Sequence, residues 1–123
     1  VRQYRPGIAR TCYELCAGVC ETEDASPLVS AQRELLEETG YGNGNWQEYM
    51  VLSPNPSTHT NVTYCFLATD VEPIAPQHLE DTEDLTVHLL TLEEVKQLLL
   101  NNEIMQSLHA APLWRYMAEK RLI

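Results

Sequence analysis

The stretch from Ser26 to Gly40 constrains this chain most, because it carries its own start signal, its own stop signal and a fixed charge pattern between them. Ser26 can cap a first helical turn through its side-chain oxygen, and Pro27 has φ already set for the first helical position. Leu28, Ala31 and Leu35 recur at i, i+3 and i+7, which predicts a buried face, and Gly40 supplies the left-handed residue that ends a helix. With each residue advancing about 100°, Glu34, Glu37 and Glu38 fall within an arc of about 100° on one face. Like charges at these spacings repel by roughly 0.2 to 0.5 kcal/mol per pair, a cost that a divalent cation reverses. Carboxylate oxygens suit Mg²⁺ or Mn²⁺, and Mg²⁺ typically shares its shell between one or two carboxylates and substrate phosphates. The expected ligand therefore brings phosphates. Taken without its neighbours, the same helix reads more readily as a solvated acidic face.

The rest of the composition narrows the setting. At 123 residues the chain fits a single domain, with no room for a second core. With 44% hydrophobic and 21% charged residues it reads as an ordinary globular sequence. A formal charge of −10 speaks against binding nucleic acid through its phosphate backbone. No apolar run reaches the roughly 18 residues that would cross a bilayer, and Val1 to Arg5 lack the apolar stretch of a signal peptide, so we expect no membrane partner and a cytoplasmic location. Cys12, Cys16, Cys20 and Cys65 have neither zinc-site spacing nor a convincing disulfide framework, and read as reduced, mostly buried thiols. His59, His78, His88 and His109 are scattered, with no pair at metal-ligand spacing.

Periodicity places the other elements. Val1 to Tyr4 is strand-like, so the chain is expected to begin inside an element. Strands are predicted at Thr11 to Cys16, Trp46 to Leu52, Asn61 to Thr69 (long and largely buried) and about Leu85 to Leu90. Gly42 to Asn45 forms a turn cluster, Pro54-Asn55-Pro56 a loop, and Glu72 to Asp84 an acidic loop. Thr91-x-x-Glu94 is a capping box that opens a helix. A last helix is predicted through Trp114 to Lys120, with Pro112 in its first turn or kinking it. Strands with helices on both sides of the middle give an α/β or α+β sandwich.

The residues around the acidic helix add a resemblance. Arg33-Glu34-Leu35-Leu36-Glu37-Glu38-Thr39-Gly40-Tyr41 resembles the signature of the Nudix hydrolases: Arg-Glu, a bulky apolar residue, any residue, Glu-Glu, any residue, Gly, and a final apolar residue, a slot filled here by Tyr41. Gly18 corresponds to the signature's opening glycine. Upstream the chain departs from the pattern, with Asp24 where the signature has Glu and one extra residue between Asp24 and Arg33, so Asp24 is assigned a structural role. Gln3-Tyr4-Arg5 and Glu14-Leu15-Cys16-Ala17-Gly18 resemble segments of the ADP-ribose pyrophosphatase branch, in which a proline occupies the position of Cys16.

The resemblance implies a Nudix α/β/α sandwich of the α+β class, a mixed β-sheet between helices spanning residues 1–123 and lacking an N-terminal sheet that the branch carries. It implies metal-dependent hydrolysis of a diphosphate linkage in a nucleoside diphosphate derivative, with ADP-ribose or another nucleotide sugar the leading substrate. The metal, Mg²⁺ or Mn²⁺, would be held by the backbone carbonyl of Ala17 with Glu34, Glu37 and Glu38, and Arg33 would buttress these carboxylates. A water-activating base is sought in the acidic loop, with Glu83 first and Asp81 and Glu80 behind it. Arg2, Arg5 and Arg10 are candidates for phosphate oxygens, since guanidinium forks bind them bidentately. Asn55, with Thr58 and Asn61, is a candidate for the sugar or base, and Trp46 and Tyr49 are strand aromatics that ordinarily pack. The resemblance also implies a homodimer. The alternatives are a catalytically silent Nudix domain that binds a nucleotide or a partner protein, and a housecleaning triphosphatase. A third, an RNA-cap hydrolase, needs basic surface that the sequence does not offer.

Overall fold

The computed structural model describes residues 1–123. In chain order the elements are β1 (Arg2–Arg5), β2 (Arg10–Tyr13), α1 (Pro27–Thr39), β3 (Tyr41–Gly42), β4 (Asn45–Leu52), β5 (Thr63–Thr69), β6 (Glu72–Pro73), β7 (Leu85–Thr86), α2 (Leu92–Leu100) and α3 (Ser107–Glu119). The class is α+β, and the strand pairings are antiparallel. Two compact units arise, one from Val1–Leu15 with Asp84–Ile123, the other from Cys16–Glu83. No helix is long and apolar enough to cross a membrane.

In the first unit β1 lies between β2 and β7. The strand predicted to reach Leu90 pairs only at Leu85 and Thr86, opposite Gln3 and Arg2. Helix α2 has both halves of its capping box: Glu94 N–H donates to Thr91 Oγ1 at 3.1 Å and Thr91 N–H to Glu94 Oε1 at 3.0 Å. Helix α3 starts seven residues before the predicted Trp114 and holds Pro112 inside it, where the sequence reading expected a start or a kink. A proline forfeits one helical N–H. Burial outweighs that here: Pro112 is buried, and Met117, five residues on, is wholly enclosed with Leu99 and Ile104 at the centre of the unit's core. Met117→Ala is therefore expected to cost about 3 kcal/mol, the transfer and cavity terms together, read as a lower midpoint in denaturant titration.

The same unit buries a carboxylate. Glu14 receives the Arg5 guanidinium bidentately, at 2.8 Å from Nε and 2.6 Å from Nη2, and lies 4.0 Å from His109 Nδ1. The hydrogen bonds from Arg5 hold the Glu14 carboxyl below its ordinary value of 4.5, against the opposing effect of burial. Burial also lowers His109 from its ordinary 6.5, with Glu14 opposing. Both shifts work against the folded unit in acid. Below about 6.5 the unfolded chain takes up a proton at its histidine before the folded one does, and the contribution of Glu14, full above 4.5, disappears as pH falls through its depressed folded value. Stability measured from pH 7 down to pH 3 should thus fall in two stages, and Glu14→Gln should flatten the lower one.

In the second unit β4 and β5 form a hairpin whose register slips at Glu48/Met50, where the extra residue Tyr49 turns inward and is buried. Strand β5 is shorter than predicted and half-buried rather than largely buried. The predicted apolar face of α1 is likewise only half-buried, and its fully buried residues are the polar Ser30 and Glu38. All four cysteines are free, but only Cys12 is buried; Cys16 and Cys65 are half-buried and Cys20 is exposed, so the mostly buried reading does not hold.

Candidate active site

Helix α1 is fixed at both ends by the residues that announce it. Ser26 Oγ accepts from Val29 N–H at 3.3 Å, and Pro27 opens the first turn. Gly40 closes the helix at φ 78°, its N–H donating to Leu36 O at 2.8 Å. A Cβ there would stand 2.1 Å from the backbone oxygen of Ala75, so position 40 requires glycine twice over. The carbonyls that a helix end leaves open are met by one downstream segment. His78 N–H donates to Glu37 O at 2.7 Å, Gln77 Nε2 to Glu38 O at 2.8 Å, and Ile74 N–H to Gly40 O at 2.9 Å. These bonds pin the turn that carries Glu37 and Glu38. The sequence reading missed Gln77 and His78, which no local pattern marks because their partners lie some forty residues upstream.

Arg33 is the hub of the acidic cluster. Its fork takes Asp24 at 3.2 Å through Nε and 3.0 Å through Nη2, while Nη1 reaches Glu34 Oε1 at 3.1 Å and Glu37 Oε2 at 3.2 Å. Glu21 stands 3.7 Å away. Asp24 also accepts from Ser30 Oγ at 2.6 Å and from Glu21 N–H at 2.9 Å. The Arg33 bond, followed by those from Ser30 and Glu21, holds Asp24 far below the usual carboxylate range. The loop with the extra residue is thus tied to the helix by a bidentate pair, which is the structural role assigned to Asp24.

Glu38 is the anomalous member of the set. It is 6% exposed, and its Oε2 has no hydrogen-bond partner. Burial pushes its carboxyl up to about 7; the polar groups of Cys16 and the Ala17 backbone oppose the rise, and the charges of Glu34 and Glu83 add to it. Glu34 is raised in the same way, chiefly by burial, with Arg33 opposing and Glu37 and Glu83 adding. Glu83, half-buried, is thus the acidic-loop residue within electrostatic reach of both helix carboxylates, whereas Glu80 and Asp81 are exposed. A turn orients it: Glu83 Oε1 accepts from Glu80 N–H at 3.0 Å, and Glu83 N–H donates to Glu80 O at 2.9 Å.

Gly18 explains why the loop can approach so closely. A Cβ on it would lie 2.2 Å from both Cδ and Oε1 of Glu34, so only glycine leaves that carboxylate its place. The obstructed atoms are the far end of a flexible side chain. Gly18→Ala is therefore expected to swing Glu34 aside, weakening Mn²⁺ binding about tenfold or more with less than about 1 kcal/mol lost from stability, a contrast read by paramagnetic titration beside thermal melting.

The carboxylates do not stand as a preformed metal cluster; no three His, Cys, Asp or Glu side chains do so. Glu34 and Glu37 are turned onto Arg33 instead. The donor set nevertheless fits a hard divalent cation. All its side-chain ligands are oxygens, and an orphaned oxygen on a buried carboxylate needs a positive partner or a proton.

The other predicted contact residues have partners of their own. Arg2 lies over the Tyr13 ring at 5.5 Å, the Arg5 fork is taken up by Glu14, and Arg10 Nη1 meets Met105 Sδ at 3.7 Å; all three belong to the first unit. Asn55 is exposed, and its carbonyl accepts from His59 N–H at 2.9 Å; Thr58 and Asn61 are exposed with it. Trp46 donates to Asn43 O at 2.8 Å and, with Tyr64, Phe66, Pro27 and Leu28, lines a cleft of about 360 Å³, so it is more open than a packed strand aromatic.

The pattern of the NUDIX domain matches residues 1–111. The chain belongs to the Nudix family. This Nudix chain is 30% identical over 112 residues to a protein named ADP-ribose pyrophosphatase from Mycobacterium tuberculosis, covering 90% of this chain and 54% of that one. It is also 30% identical over 105 residues to one of the same name from Bacillus subtilis, covering 85% and 56%. A GDP-mannose pyrophosphatase from Enterobacter matches at 28% over 93 residues, covering 74% and 48%. The chain thus spans about half the length of these relatives. Among solved structures, that of an ADP compounds hydrolase superposes with a TM-score of 0.68, covering 97% of this chain and 65% of that one. At 19% identity this likeness is one of fold.

Proposed function

We propose that this Nudix domain hydrolyses the diphosphate linkage of a nucleoside diphosphate derivative, with ADP-ribose or a related nucleotide sugar as substrate. The observation that carries the reading is the buried, unpartnered oxygen of Glu38, raised by its own burial and set among Glu34, Glu83 and the Ala17 backbone. The two ADP-ribose pyrophosphatases and the GDP-mannose pyrophosphatase support the choice of substrate class.

In this reading Glu34, Glu37 and Glu38, with the Ala17 carbonyl, hold Mg²⁺ or Mn²⁺. Such a cation, when bound, offsets charge on the diphosphate oxygens and makes an attacking water more acidic. The residues of the chain do the remaining work. Arg33 keeps Glu34 and Glu37 in register by holding one oxygen of each and is itself anchored on Asp24. Glu83 takes the proton from the attacking water at its carboxylate, and the turn to Glu80 sets the direction of that group. Arg2, Arg10 and Asn55 are retained as candidate substrate contacts, whereas Arg5 would have to exchange Glu14 for phosphate. A homodimer is also part of the proposal, and light scattering of the purified protein tests it.

Product analysis across a panel tests the substrate class. Nucleotide sugars should give a nucleoside monophosphate and a sugar phosphate, and nucleoside triphosphates should be turned over far more slowly. Release of inorganic pyrophosphate from triphosphates as the dominant activity would replace this reading with that of a housecleaning triphosphatase.

A further inference from the structure

The cleft beside Trp46 lies wholly within the second unit, and diphosphate hydrolysis makes no use of it. The register of the hairpin explains how it forms. Trp46 and Glu48 are two residues apart on β4, Tyr64 and Phe66 two apart on β5, and Glu48 stands directly opposite Phe66, so strand alternation brings all four to one face. Pro27 and Leu28, in the first turn of α1, complete the lining of a space of about 360 Å³. The bond from Trp46 Nε1 to Asn43 O at 2.8 Å fixes the indole in place, and Tyr64 is 43% exposed. Glu48 is exposed and is the one charged residue in the lining, which holds no Lys, Arg or His.

Three aromatic rings and one carboxylate select a ligand by charge. A phosphate is repelled, the more so by a chain with a formal charge of −10. A cation is drawn both by the carboxylate and by the negative faces of the rings. The kind of cation follows from the scarcity of acceptors. A primary ammonium brings three N–H donors. Against these the cleft offers Glu48 and Gln47, since Ser26 Oγ is already engaged by Val29 N–H at 3.3 Å. A quaternary ammonium has no N–H to satisfy and loses least on leaving water for the rings.

We propose that the face of the β4–β5 hairpin formed by Trp46, Tyr64 and Phe66, with Glu48 among them, is a binding site for a small molecule bearing a quaternary ammonium group. The alkylated nitrogen sits against the rings and Glu48 supplies the counter-charge. The site is separate from the helix carboxylates: Glu34 and Glu38 lie beyond Leu28 on α1 by about 9 and about 15 Å along the helix axis. The inference therefore stands whether or not the chain hydrolyses a diphosphate.

The test is an NMR titration of the metal-free wild-type chain with choline, following the two indole N–H signals, which Trp46→Phe assigns by removing one. Trp114, packed against the core of the first unit, is the internal control. Its neutral carbon isostere, 3,3-dimethyl-1-butanol, and its primary counterpart, ethanolamine, are titrated beside it. Choline should shift the Trp46 signal saturably, leave that of Trp114 in place, and bind about tenfold or more tightly than either comparison compound. Glu48→Gln and Tyr64→Leu, both at exposed positions, should keep the Trp114 signal and the melting temperature while weakening choline by roughly two- to thirtyfold each. Equal binding of the isostere, or choline binding unchanged in a folded Glu48→Gln, overturns the proposal in favour of a merely apolar cleft. A Trp46 signal that ignores choline overturns it as well, and if that signal instead moves with protein concentration, a second copy of the chain covers this face.

Discussion

Glu38→Gln is expected to lower turnover by about a hundredfold or more, equivalent to about 2.7 kcal/mol of transition-state stabilisation, without unfolding the protein. The two halves of this expectation have one cause. Glu38 is buried with an unpartnered oxygen, so its ionised form is disfavoured in the fold unless a cation is beside it. Glutamine keeps the shape and removes the charge, so the fold loses a burden while the site loses a ligand. The melting temperature without metal should hold or rise. Glu37→Gln should depress turnover similarly, with less effect on melting, since its side chain is 37% exposed and already shared with Arg33. Unchanged turnover in both variants, measured at saturating metal, would remove the carboxylates from the mechanism.

The second large effect is expected at the acidic loop. Glu83→Gln should reduce turnover by roughly a hundred- to ten-thousandfold, the usual span for loss of a positioned proton acceptor, and KM should change little. The residual rate of this variant should rise with pH, because hydroxide then replaces the missing base. Glu80→Gln and Asp81→Asn should stay near wild-type turnover: both are exposed, and Glu80 bonds to Glu83 through its backbone, which the substitution leaves in place. A large loss in either, with Glu83→Gln close to normal, would move the base along the loop.

What was legible from sequence and what was not divides by the range of the interaction. Helix α1 was readable to the residue, since Ser26, Pro27 and Gly40 act on their immediate neighbours. So was the capping box at Thr91. The placing of Glu34, Glu37 and Glu38 on one face follows from helical geometry alone, whereas Arg33 as their brace came from the resemblance. Helix α3 was underestimated because Pro112 reads locally as a boundary, while the burial of Met117 that carries the helix through it comes from residues far along the chain. The strand near Leu85 was overestimated: the ladder to β1 covers only Leu85 and Thr86, although the alternation continues beyond them. The bidentate hold of Glu14 on Arg5 and the pinning by Gln77 and His78 were hidden, since each joins residues that no periodicity relates.

The central claim is tested most directly by incubating the folded wild-type chain with ADP-ribose and Mg²⁺, with and without chelator, beside Glu38→Gln, and identifying the products by phosphorus NMR. AMP and ribose 5-phosphate that appear in the wild type, cease with chelator and nearly vanish in Glu38→Gln are the predicted result. A folded wild type that cleaves neither ADP-ribose nor any other nucleotide sugar, or does so equally well with chelator, would contradict it.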